Sequence, residues 1–302
     1  MPTKFSSAFD AFVEPARERS EIWRTILGFV LVAGVFLGIM VSLSAIVIFI
    51  GEARQTGLGF KLVFELQGGR TVFATFAAVG LITILLPALW LVVHFLHRRS
   101  IFSLIAPNHR INWRFWQIAA IVVALIGILD MILTFSTTEV TQQLTIIRWI
   151  PLAIAAAVLV FFQTAAEELI FRGYLQQQLA ARFQSRWIWL VLPSVVFGSL
   201  HWNPGTFGGN AWLVIVVATL IGLIAGDMTA RLGNLSAAMG LHFANNILVF
   251  IFLNVPGQSS GVALYLHDVN AKSPEMATGI GMSIVMMIVI YSVFLMILRR
   301  RR

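Results

Sequence analysis

Residues 164–173 read TAAEELIFRG, directly after the fourteen uncharged residues IPLAIAAAVLVFFQ (150–163). Two adjacent carboxylates and an arginine therefore stand within or at the end of an apolar helix. At the centre of a membrane span each such group costs roughly 2.5–3.5 kcal/mol. Glu168 and Arg172 are spaced i, i+4, so a helix places them on one face where they pair and neutralise each other. Glu167 lies about 100° further round the helix, free of that arginine. An apolar surrounding tunes such a carboxylate toward general acid–base work near neutral pH.

The rest of the chain supports a membrane setting. Of 302 residues, 59% are hydrophobic and 11% charged, against about 25% charged in an average soluble domain. Mean hydropathy is +0.88. Apolar runs recur throughout and leave no room for a large soluble domain. The net charge of +8 resides in short loops and a C-terminal arginine run, where it meets lipid headgroups; nucleic acid is not an expected partner. The chain has no cysteine, which excludes disulfides, zinc–thiolate sites and thiol catalysis. The first apolar segment lacks a cleavage signature and reads as a retained span.

With about 20 apolar residues needed per crossing, the sequence predicts an all-α polytopic helix bundle of about eight spans enclosing an intramembrane catalytic cavity. The spans fall near 26–50, 71–96, 115–136, 149–178, 187–202, 211–229, 234–253 and 277–298. The fifth is short and holds Pro193. Arg98, Arg99, Arg110, Arg114, Arg182, Arg186, Arg231 and the arginines at 299–302 fall on one side. By the positive-inside rule both termini are cytoplasmic, in a bacterial cytoplasmic membrane. The first loop, with Arg54, Lys61 and Arg70, runs against this but also carries Glu52 and Glu65. The polar segment 176–186 either continues the fourth helix, lies along the surface, or forms a solvated loop. Residues 254–275 read as an external loop, and no internal repeat is visible. Three regions result: N-terminal spans (1–148), a core carrying the chemistry (149–254), and a last loop, span and basic tail (255–302).

Within the last five spans stand Glu167, Glu168, Arg172, His201, Asp227, His242, Asn245 and Asn246. Phe197 and His201 are i, i+4, as are His242 and Asn246. Counted from the basic boundaries at 1.5 Å per residue, Glu167, His201 and His242 lie roughly 21, 22 and 16 Å deep. Asp227 reads as an interfacial charge near Arg231. Asp130 is an intramembrane acid left to pair with Arg148 or a neighbouring helix. Trp202 and Trp212 read as interfacial anchors.

These residues resemble a known family. Glu167-Glu168-Leu-Ile-Phe-Arg172 is similar to the EExxxR motif of the CAAX protease and bacteriocin-processing intramembrane endopeptidases, which include the type 2 CAAX prenyl endopeptidase. Phe197-Gly-Ser-Leu-His201 resembles its FxxxH motif and His242-Phe-Ala-Asn-Asn246 its HxxxN motif. Gly222, Gly226 and the turn after Arg231 resemble the family's sixth helix. The likeness spans about residues 150–250. It implies an eight-helix fold with a conical cavity, Glu167 and His201 activating water, His242 and Asn246 stabilising an oxyanion, and Glu168 and Arg172 in support. Metal-independent hydrolysis with no cofactor is the expected chemistry. The alternative is Zn²⁺ held by Glu167, His201 and His242; HExxH, which would decide it, is missing. Expected partners are membrane lipid and a peptide or lipidated protein substrate. Competing functions are a proton-coupled transporter and a non-catalytic binding or immunity protein of the same fold.

Overall fold

The computed structural model describes residues 6–53 and 58–299. Arg54 and the arginines at 300–302, used above to orient the chain, lie outside them. The helices are α1 (Ser7–Arg17), α2 (Ile22–Ala53), α3 (Leu58–Gly68), α4 (Val72–Leu96), α5 (Trp113–Thr137), α6 (Ile146–Arg182), α7 (Trp187–Ser199), α8 (Pro204–Leu232), α9 (Ser236–Phe252) and α10 (Pro274–Arg299). Six of these are long and apolar enough to cross a membrane, while α7 and α9 are shorter apolar helices. The protein is an all-α polytopic membrane bundle, with a helix at each of the eight expected places.

Two helices were not legible as such. The amphipathic α1 buries Phe9, Phe12 and Val13 beneath Leu104, Leu179 and Trp189. The first loop, whose charges alone were legible, contains α3. The segment 254–275 is likewise more ordered than a loop. Its strand β3 (Tyr265–His267) pairs antiparallel with β1 (Val140–Gln142) and parallel with β2 (Leu253–Asn254), while Val262 and Ala263 are buried. Burial lowers the pKa of His267 on β3, and the negative charge of Asp130 on α5 opposes that shift.

Two inter-helix contacts set the geometry of the core. Helix α9 packs along α5, and α8 along α7. The α7–α8 approach depends on small residues. A Cβ on Gly198 would stand 2.0 Å from Thr219 Oγ1, and one on Gly222 2.9 Å from Ser194 Cβ. Gly233 ends α8 with φ +64°, a conformation that favours glycine, and hands the chain to α9.

The glutamines of the polar segment settle its reading. Helix α6 continues to Arg182, and Gln176, Gln177 and Gln178 are buried rather than solvated or spread on a surface. Gln176 Nε2 donates to the Gly226 carbonyl at 2.9 Å, and Gln177 Nε2 to that of Phe12 at 2.6 Å. Arg99 Nη1 donates to Gln177 Oε1. The Tyr174 hydroxyl meets His97 Nε2 at 2.9 Å, and His97 Nδ1 faces the Arg19 carbonyl at 3.3 Å. This network ties the N-terminal helices to the end of α6. Asp227 pairs with Arg231, as expected of an interfacial charge, and also accepts from the Tyr291 hydroxyl.

Burial, with help from the neighbouring Arg99 charge, lowers the His97 pKa from 6.5 to about 4. On acidification the unfolded ring therefore takes up its proton first. The stability that neutral His97 contributes is complete above pH 6.5 and is lost as pH falls toward about 4. The loss amounts to roughly 3 kcal/mol. Thermal unfolding of the detergent-solubilised protein between pH 7 and pH 4 should show a steeper drop for wild type than for His97→Gln; parallel curves would contradict this.

Candidate active site

The charge-bearing helix changes character at its two glutamates. Helix α6 is α-helical over Ile146–Glu168 and π-helical over Leu169–Gln176, a local widening that often accompanies functional sites. Arg172, on the π turn, donates from Nη1 to Glu168 Oε1 at 2.7 Å, with side-chain exposures of 2% and 0%. The guanidinium carbon lies 4.6 Å from the Phe197 ring centroid, a cation–π contact strengthened by desolvation. The ion pair is thus closed by an aromatic lid from α7.

Phe197 is the hub on which the three helices meet. The His201 ring packs at 4.8 Å from it, the His242 ring edge-on at 5.7 Å, and the Phe171 ring at 5.1 Å. Helix α7 ends at Ser199, so His201 sits in the following turn rather than within the helix, as the 187–202 span implied. Its place one turn beyond Phe197 survives, because His201 Nδ1 bonds the Phe197 carbonyl at 2.9 Å. Neutral His201 with that nitrogen protonated leaves Nε2 as an acceptor.

His242 links the two carboxylates. Its Nδ1 lies 2.8 Å from Glu168 Oε1 and its Nε2 3.4 Å from Glu167 Oε2. Glu168, fully buried between Arg172 and His242, has no open face. Glu167 keeps 15% of its side chain exposed. Adjacent residues of one type therefore have opposite access, as their separation around the helix requires.

Glu167, Glu168, Arg172 and His242 are in direct contact, and His201 packs on the Phe197 ring that also touches Arg172 and His242. Among the described residues the ionisable side chain facing Glu167 is His242. Asn246 holds a residue the sequence reading missed: its Nδ2 donates to Gln163 Oε1 at 3.0 Å. Gln163 stands one turn before Glu167, a spacing that could have flagged it, but it closes the charge-free run and reads there as a boundary residue. The Zn²⁺ alternative turns on Glu167, His201 and His242, of which Glu167 and His242 stand in direct contact. Both His242 nitrogens face carboxylates, and among the described residues no three His, Asp or Glu side chains are grouped to hold a metal ion.

Comparison with known proteins places the same segment. Residues 148–248 match the family described as type II CAAX prenyl endopeptidase Rce1-like. The match covers the part of the chain that carries EExxxR, FxxxH and HxxxN, so the family resemblance holds there. The uncharacterized protein YyaK of Bacillus subtilis (strain 168) is 27% identical over 270 residues, covering 88% of this chain and 89% of its own. No solved structure matches.

Removing one partner of a buried ion pair costs about 3–5 kcal/mol, whereas replacing both with apolar groups costs far less. Arg172→Leu should therefore lower the unfolding temperature more than the double variant Glu168→Leu/Arg172→Leu. Thermal unfolding of the two in one detergent checks this. A double variant less stable than the single would show that the pair does not behave as a unit.

Proposed function

We propose that the protein is an intramembrane endopeptidase that hydrolyses a peptide bond of a membrane-associated substrate, with Glu167 activating the water. The observation that carries this reading is the unequal access of the two glutamates: Glu168 is sealed by Arg172 and His242, and Glu167 is open. The match of residues 148–248 to an endopeptidase family supports it.

In the proposed reaction a water molecule lies between Glu167 and His201 Nε2. Glu167 takes one proton, and the hydroxide oxygen bonds to the scissile carbonyl carbon. The carbonyl electron pair moves onto oxygen, where the Asn246 amide donates to it; one well-placed donor is worth about 2.7–4 kcal/mol. Collapse breaks the C–N bond, and Glu167 returns the proton to the leaving amine. His242 joins the oxyanion site when Nε2 carries a hydrogen while Nδ1–H donates to Glu168. The scheme needs no metal.

The proposed substrate is a peptide or lipidated protein already in the bilayer. An almost wholly apolar groove of about 700 Å³ runs between α5 and α9, lined by Trp116, Ile128, Phe135, Phe243 and Leu248. Phe243 and Ala244 of its lining stand on the same helix as His242, and we propose that an apolar chain attached to the substrate lies there. We place both termini in the cytoplasm of a bacterium. The loops bearing Arg99, Arg110 and Arg231 gather at one end of the bundle, joined by the Leu235 N–H to Ile105 carbonyl bond (2.9 Å) and the Asn112 N–H to Ser236 Oγ bond (2.8 Å).

Cleavage of a quenched fluorescent farnesylated CAAX peptide by the purified protein tests the reading. Glu167→Gln should lower kcat roughly 10²–10⁴-fold at unchanged unfolding temperature, and wild-type activity should survive a strong chelator. Activity lost to chelation and restored by Zn²⁺ would contradict the metal-free scheme; full activity in Glu167→Gln would contradict the assignment of the base.

A further inference from the structure

We propose that Gln163 is a positioning residue, fixing which end of the Asn246 amide faces the reacting carbonyl; this rests on the peptidase reading above. An asparagine amide has two ends of nearly equal shape, and only the nitrogen donates. An Asn246 turned the other way would set its oxygen against the developing oxyanion and oppose the reaction. Something must select the orientation.

Two neighbours do so. Gln163 is 3% exposed, and its Oε1 accepts from Asn246 Nδ2 at 3.0 Å. From the other side Asn245 Nδ2 donates to Asn246 Oδ1 at 3.3 Å. With Gln163 and Asn245 as they stand, a flipped Asn246 would bring nitrogen against nitrogen and oxygen against oxygen. In the observed orientation Gln163 takes one of the two Nδ2 hydrogens, and the other remains to donate. Gln163 and Glu167 are i, i+4 on α6, so one helix face carries both the base and the group that aims the oxyanion donor. The relative placement of the two then depends on a single rigid element, the arrangement that preorganised electrostatic catalysis requires. A buried glutamine in an apolar span is costly without a hydrogen bond, and a purely structural one would serve only to hold α6 to α9.

The two roles separate in a double-variant cycle on the full-length protein in detergent. The probe is a mixture of quenched fluorescent peptides with and without a farnesylated C-terminal cysteine. Gln163→Leu keeps the size and removes the acceptor, and should lower kcat about 10-fold with KM within about 2-fold. Gln163→Glu, which keeps an acceptor in place, should restore most of the loss. In an Asn246→Ala background Gln163→Leu should cost less than about 2-fold, because the group it positions is gone. Equal losses in both backgrounds, or a Gln163→Leu protein as active as wild type, would overturn the proposal while wild-type cleavage and its loss in Glu167→Gln left the peptidase reading standing. Wild type inert toward every peptide would overturn both.

Discussion

A carboxylate cannot stay ionised in a hydrocarbon layer without a counter-charge, and the Glu168–Arg172 pair is where this chain meets that requirement. Both groups are buried on one turn of α6, and the Phe197 ring covers the guanidinium. The pair does more than neutralise itself. Glu168 also holds His242 Nδ1, so the charge that Arg172 stabilises fixes a ring on a helix some seventy residues away. The ion pair thus locks three helices through two side chains, leaving Glu167, its neighbour in sequence, outside that hydrogen-bonded pair and open to the site.

The scaffold around this lock is built for close approach. Gly198 and Gly222 let α7 and α8 come near enough that no Cβ fits between them, which sets the depth of Phe197 and His201. The buried glutamines 176–178 extend the order of α6 past the charges to the arginine-bearing end. There His97, Tyr174 and Arg99 bind it to the N-terminal helices. These amides use hydrogen bonds to backbone carbonyls in place of further charges, the less costly way to satisfy a polar group away from water.

What the sequence made legible follows from range. Apolar runs and i, i+4 spacings are local, so the eight helices, the Glu168–Arg172 pair and the Phe197–His201 and His242–Asn246 faces could be read directly. The rotation of one helix against another is not local. Nothing in the spacing says that His242 would turn toward Glu167 and Glu168, or that Asn246 would find Gln163. The same holds for Gln176–Gln178, whose polarity suggests water until their carbonyl partners on α1 and α8 are known. Helix α1 escaped notice because its apolar face is only a few residues long. The strands around His267 escaped because two- and three-residue strands leave no periodic pattern.

Two adjacent glutamates differ in access, one closed in an ion pair and one open for chemistry. Carbodiimide modification of carboxyl groups in the membrane-embedded protein, located residue by residue by mass spectrometry, tests this without any assumption about substrate. Modification is expected at Glu167 and not at Glu168 in the folded protein, with Glu168 becoming reactive once Arg172 is replaced by leucine. Modification of Glu168 in the wild-type protein, or equal reaction at both positions, would contradict it.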